Sequence, residues 1–278
     1  MTVPIAQEPI TLAERARRMR KHVIRMTTAA GSGHPAPSFS IIEILAALYF
    51  SEMRLDATRP DWPERDLFVL SKGHAAPAIY AALREYGIIS EQTMLSLRKI
   101  GSPLQGHPDM RMVGVDGTSG SLGIGLSQAV GRALGRKKRG SDGRVFALVG
   151  DGECQEGQIW EAALSASHLQ LNNLIVFVDH NEYQVGGKVS DVLGVAPLAD
   201  KWRAFGWRVE EFDGHDFQAI QRFLQNCRAS ATRPSLAIAH TEKGHGVSFL
   251  RGGNNFHAEV LKPEQAELAY AELDGRRN

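Results

Sequence analysis

The 278-residue sequence has only two cysteines, Cys154 and Cys227. Two cannot build a disulfide framework, so a reducing cytoplasm is the default setting. Net charge is also nearly absent, with 32 Lys and Arg against 31 Asp and Glu. That balance gives no electrostatic ground for nucleic acid or an anionic membrane as partner. No apolar run is long enough to span a bilayer; the longest, residues 39–50, is interrupted by Glu43. Residues 1–20 lack the apolar core and cleavage site of a secretion signal. Neither G-x-x-x-x-G-K-[ST] nor G-x-G-x-x-G occurs, so nucleoside triphosphates and nicotinamide lack their fingerprints. Zinc spacing, internal repeats and low-complexity tracts are missing too. What remains is an ordinary globular composition, 43% hydrophobic and 23% charged, long enough for one or two domains.

Glycine is the residue in excess: 28 of 278, above the usual share of about 7%. The glycines punctuate a regular alternation. Apolar spacing predicts a helix over 12–28, then a break at Gly31–Pro37, where glycine and proline exclude regular structure. A buried helix runs on through Phe50, capped by Ser38 or Ser40. A strand at 66–70 ends in Ser71-Lys72-Gly73-His74, and a helix over 75–86 stops at Gly87. Five glycines fall within 114–125, ahead of a helix over 126–138. Strands follow at 145–149, 174–178, 207–210 and 235–239, with helices at 159–169 and 217–226 and a last helix from Pro263. Alternation of this kind implies an α/β fold, a parallel sheet with helices on both faces.

Ligands of such sheets gather at the carboxyl ends of the strands. Here those ends carry Gly150-Asp151-Gly152 and Asp179-His180-Asn181, joined by one crossover helix. A right-handed crossover brings Asp151 and Asn181 together at one rim. A carboxylate and an amide oxygen suit a magnesium ion that keeps phosphate oxygens in its other positions. Gly150 and Gly152 let a diphosphate approach the backbone, and the next helix offers its N-terminal amides. The competing reading makes Asp151 a helix cap and Asn181 a turn residue. A lone GDG does not separate the two, but an asparagine thirty positions later, also just past a strand, favours the cation site.

GDG followed about thirty residues later by Asn resembles the thiamin diphosphate signature, and Gly150–Ala162 is close to its transketolase form. Ser32-Gly33-His34-Pro35, Val69–Ala75, Gly106-His107-Pro108 and Gly120-Ser121-Leu122-Gly123 resemble that family in the same order. The likeness runs from about residue 12 to about residue 262, over the first third of a full-length transketolase. It implies the thiamin diphosphate-binding fold, with residues 1–278 as a single diphosphate-binding domain. The pyrimidine-binding and C-terminal domains would then lie on a separate, C-terminal subunit, in an α2β2 assembly. The implied activity is transfer of a two-carbon ketol unit from a ketose to an aldose acceptor, with sugars or sugar phosphates as substrates. Two other readings stand beside it. One passes a ketol or acyl unit to a non-sugar acceptor such as a carrier thiol, and the other is a non-catalytic binding module.

The resemblance also implies site residues. Asp151, Asn181 and the Tyr183 backbone carbonyl would hold Mg2+. Gly150 and Gly152 would meet the diphosphate, and His74 the cofactor. The Gly120 carbonyl would accept from the aminopyrimidine with Leu122 beside it. Glu156 resembles an acidic residue at the dimer interface, or else is a first-turn glutamate favoured by the helix dipole. His34, His74, His107 and His257 would line the channel to the reacting carbon, as groups able to take and return a hydroxyl proton near neutral pH. His245, in Lys243-Gly244-His245-Gly246, competes with His257. The sequence departs from the family at Ala36-Pro37 and Ala258, which reshapes the loop after His34. Cys154 reads as packing, and the basic cluster 132–139 as a solvated helix end.

Overall fold

Alternating apolar side chains on five strands decide the architecture. The computed structural model describes residues 10–229, 232–253 and 257–276; Asn255 and Phe256 of the motif around His257 lie outside them. In chain order the elements are α1 (Leu12–Ala30), α2 (Pro35–Phe39), α3 (Ile42–Ala47), β1 (Leu67–Leu70), α4 (Ala76–Tyr86), α5 (Glu91–Met94) and α6 (Ile124–Lys138). Then come β2 (Val145–Gly150), α7 (Gly157–His168), β3 (Leu174–His180), β4 (Tyr183–Gln184), β5 (Gly187–Lys188), α8 (Val189–Leu193) and α9 (Leu198–Ala204). The chain finishes with β6 (Arg208–Asp213), α10 (Phe217–Cys227), β7 (Ser235–His240) and α11 (Pro263–Leu273).

Five strands form one parallel sheet in the order β1-β2-β3-β7-β6. Side chains alternate between its faces. Phe68, Leu70, Phe146, Leu148, Ile175 and Phe177 join one core, with α1, α3, α4, α10 and α11. Val69, Val145, Ala147, Val149, Val176 and Val178 join the other, with α6, α7 and α9. Burying each large side chain is worth about 1.5–3 kcal/mol, and both faces are covered, as the near-continuous apolar strands require. The α/β class with helices on both faces is therefore the observed one. Among the described residues no helix is long and apolar enough to cross a membrane.

Several local expectations are corrected. Residues 31–37 are not irregular throughout, because Pro35 opens α2: proline at a helix start needs no N–H and its φ is already helical. Neither Ser38 nor Ser40 caps a helix. Ser38 lies inside α2 and donates to the His34 carbonyl (2.7 Å), while Ser40 Oγ turns to Asp179 Oδ2 (2.8 Å). The segment through Phe50 is buried as expected but breaks at Ser40-Ile41 and ends in a π turn, Leu48–Glu52. Arg136, assigned to a solvated helix end, is buried and donates to the Arg65 carbonyl.

Candidate active site

Sheet register places the first half of the site. Gly150 stands opposite Asp179, so the residues just past β2 and β3 leave the sheet side by side. Asp151 N donates to the Asp179 carbonyl (3.2 Å), and Asp151 Oδ2 accepts from Glu182 N (2.7 Å). Asp151 is almost fully buried. Burial first, and the Asp179 carboxylate second, push its carboxyl up to about 7. Lys72 pulls in the other direction without offsetting burial.

Asp179 already has its cation. Lys72 Nζ donates to Asp179 Oδ2 at 2.5 Å, and both side chains are out of solvent. Ser40 Oγ and Asn181 Nδ2 (2.6 Å) donate to the same oxygen, and Thr241 Oγ1 to the other. Burial disfavours this carboxylate, yet Lys72 and the hydroxyl donors outweigh it and hold the carboxyl below its usual range. Because a carboxylate only accepts, the Asn181 NH2 must face Asp179, which turns Asn181 Oδ1 toward Tyr183 N (3.1 Å).

Glu153 joins the loops around this point. Its carboxylate accepts from Ser71 Oγ (2.5 Å), Gly123 N (2.8 Å) and Gly150 N (3.0 Å). A cleft of about 300 Å³ opens beside it, lined among others by His74, Leu122, Gly150, Asp151, Gly152, Glu156, Asn181, Tyr183 and His257. Lys72, Glu153, Gln184 and Val185 also line it and were not singled out by the sequence. A Cβ on Gly152 would press on the Gln184 side chain at 3.2 Å, which would have to give way. Glu156 is exposed and occupies the N-cap position of α7 without a side-chain cap bond, so it is not a first-turn residue.

The other half of the site is imidazole. His34, His74 and His257 form a triangle with ring centroids 5.5, 5.7 and 5.3 Å apart. His107 lies beyond, against Gly73 and Gly120; a Cβ on Gly120 would meet its ring at 3.7 Å. Gly120 is exposed and not part of the cleft wall. Burial and neighbouring cations keep these rings neutral. His34 is pushed down to about 4 by burial and then by Arg98 and others, and His257 to about 3 by burial and then Lys243. Burial likewise holds His74 well below its ordinary value and lowers His107, with Arg98 next. Nδ1 of His34, Nδ1 of His257 and Oγ of Ser119 are buried with no hydrogen-bond partner among the described residues.

His245 does not join this triangle. It stacks on His215 at 3.6 Å, near Glu43. Glu43, His215 and His245 offer ligand atoms within 4.8 Å of one another, but Arg20 bonds both Glu43 oxygens and Glu242 N occupies His215 Nε2. A guanidinium already fills the place of a cation. Cys154 is fully packed, with its thiol pushed well up by burial.

Asp151, Asn181 and the glycine walls thus share a cleft with His74 and His257 at the carboxyl ends of β2 and β3, where ligands of parallel α/β sheets gather. Residues 13–274 match the family described as "Transketolase, thiamine diphosphate binding domain", and the chain belongs to that family, whose members are transferases. It is 42% identical to "6-deoxy-6-sulfo-D-fructose transketolase subunit SqwG" of Clostridium sp. (strain MSTE9), over 97% of this chain and 98% of that one. It is 37% identical to an apulose-4-phosphate transketolase subunit of Phocaeicola vulgatus, over 96% and 95%. The transketolase structure from Campylobacter jejuni superposes with a TM-score of 0.90 at 30% identity, over 99% of this chain and 43% of that one. That from Leishmania mexicana gives 0.90 at 28%, over 95% and 41%. The chain thus spans less than half of these solved transketolases and nearly all of the two subunit relatives.

Proposed function

We propose that this chain is the thiamin diphosphate-binding, N-terminal subunit of a split transketolase that moves a two-carbon ketol unit from a ketose to an aldose. The observation that carries the reading is Asp151: a buried carboxyl raised to about 7, facing a cleft, with an amide oxygen beside it. A divalent cation is what this donor set lacks, and all-oxygen ligands with room for phosphate oxygens fit Mg2+. Asp151, Asn181 Oδ1 and the Tyr183 carbonyl would hold the ion, and Gly150 and Gly152 would admit the diphosphate. His74, Leu122 and the Gly120 carbonyl would flank the rest of the cofactor. When bound, thiamin diphosphate supplies a carbanion-stabilising ring that breaks and forms the bond next to a ketose carbonyl.

This chain's own residues would orient the substrate and move protons. His34, His74, His107 and His257 are neutral, so each can accept a proton from a sugar hydroxyl and return it. Their closeness without any carboxylate among them keeps them in that form. The subunit relatives match this chain almost end to end, which supports residues 1–278 as one diphosphate-binding domain. A separate C-terminal subunit with the pyrimidine-binding domain would complete an α2β2 enzyme in the cytoplasm, with Glu156 at the interface. Exposed apolar side chains near the cleft, Leu122 (38%), Ile124 (38%) and Val185 (75%), offer that partner a surface to cover. The relatives' names each carry a ketose, which favours sugar ketol transfer over the carrier-thiol reading.

The test is turnover of a ketose with an aldose, thiamin diphosphate and Mg2+. The chain purified from a host without the partner should show none, and the chain co-purified with its partner should sustain transfer. Sustained transfer by the chain alone overturns the split-enzyme reading, and none by the pair overturns the activity.

A further inference from the structure

Arg98 sits at the edge of the histidine cluster and has no part in the site described so far. Its backbone is left-handed (φ 58), a conformation that a side-chain-bearing residue adopts only when its surroundings impose it. Its N–H donates to the Leu104 carbonyl (2.8 Å), closing the turn between them. From there the guanidinium reaches two loops. Nη1 donates to Ser32 Oγ at 2.8 Å, two residues before His34. The same group lies against Gly106, the residue before His107, so closely that a Cβ there would collide with it. Arg98 is exposed, and no carboxylate pairs with it among the described residues.

From this geometry we infer that Arg98 is a positioning residue: it ties the loop carrying His34 to the loop carrying His107 and places one fixed guanidinium beside both imidazoles. The planar fork suits the task, since two faces of one rigid group meet two loops, which a lysine ammonium cannot reproduce. After burial, Arg98 is also the strongest charge opposing protonation of both imidazoles. The other groups facing His34 are Lys72, Lys243, His74, His107 and His257, none of them an acid.

The inference rests on the proposed role of His34 and His107 in contacting substrate, but its first readout does not depend on turnover. Histidine-selective NMR titration of the intact chain, assigned with His34→Asn and His107→Asn, compares the parent with Arg98→Met and Arg98→Lys. In Arg98→Met both imidazoles should titrate at higher pH than in the parent, while Arg98→Lys keeps them near it. With the partner present, Arg98→Met should lower kcat by up to about 10²-fold, the cost of misplacing a reacting group by an ångström. Arg98→Lys should recover only part of that loss, because the charge returns without the fork. Thiamin diphosphate affinity by calorimetry should not change in either variant. The inference is overturned if neither histidine moves in Arg98→Met, or if cofactor affinity falls in step with kcat. A parent chain and partner that bind no cofactor would instead sink the proposed function, leaving the titration result to stand by itself.

Discussion

The two ends of the cleft solve opposite electrostatic problems. At the strand rim, Asp151, Glu153 and Asp179 bring three buried carboxyls into one small volume beside the buried Lys72 ammonium. At the other end, His34 and His257 meet the cations Lys72 and Lys243, and His34 and His107 meet Arg98. The first region is short of positive charge, and the second refuses more of it. On the proposed function a cation and a diphosphate would complete the first, while the second would keep its bases uncharged for proton transfer.

The strongest challenge to this contrast is Asp151→Ala. Removing this carboxyl should abolish Mg2+-dependent thiamin diphosphate binding by calorimetry, and with it turnover, because on the proposed function the ion loses its charged protein ligand. The fold should survive, as the residue lies past the end of β2 and contributes to neither core. Cofactor affinity equal to the parent's would mean that Asp151 does not hold the ion.

His107→Ala probes the opposite end. It should slow turnover by roughly 10²–10⁴-fold, the usual value of a general acid or base, with cofactor affinity nearly unchanged. A kcat/KM equal to the parent's would move His107 from the chemistry to the scaffold.

Lys72→Met tests the charge balance of the rim itself. It leaves Asp179 buried without its ammonium, a loss worth about 3–5 kcal/mol of stability, read as a lower urea midpoint. Lys72→Met combined with Asp179→Asn should recover a good part of it, since a neutral pair no longer holds a bare charge. If the single variant unfolds with the parent, the pair does not govern the rim.

That buried pair also shows where the sequence stops being readable. Gly150-Asp151-Gly152 and Asn181 were legible because a turn chemistry, a strand end and a thirty-residue interval coincide in one stretch of chain. The four histidines were legible because each sits beside glycine or proline, or within a motif of the family. Lys72 belonged to a recognisable motif, but its partner is 107 residues away, and nothing local says that a lysine at a strand end turns inward. The same holds for Glu153, which looks like an ordinary helix-start acid until three loops converge on it. Arg98 gave no signal at all, since its brace exists only once the Ser32 and Gly106 loops are folded against it. The short helix at Pro35 was hidden by counting proline as a breaker when it stood at a helix start. The order of β6 and β7 was equally unreadable: β7 enters beside β3 and leaves β6 at the edge, a choice made by packing rather than by any one segment.

The smallest effect should appear in the pH dependence of stability, and it bears directly on the imidazole end. In the unfolded chain His34 and His257 titrate near 6.5, while in the fold they are pushed down to about 4 and about 3. Between those values the unfolded chain binds more protons than the folded one, so stability rises with pH across that window. Its sign is fixed: the contribution is complete above 6.5 and drains away as pH falls toward 4. Carboxylates elsewhere add their own acid dependence, so the informative quantity is a difference between proteins. His34→Asn/His257→Asn removes both imidazoles, and its denaturation midpoint should fall less than the parent's between about pH 7.5 and about pH 5. The difference should be modest, because both rings remain partly open to water, which softens the penalty for charging them. If parent and variant lose stability in parallel over that interval, the imidazoles charge as easily in the fold as outside it. The cleft would then have no end that excludes positive charge, and neutral bases at His34 and His257 would need another explanation.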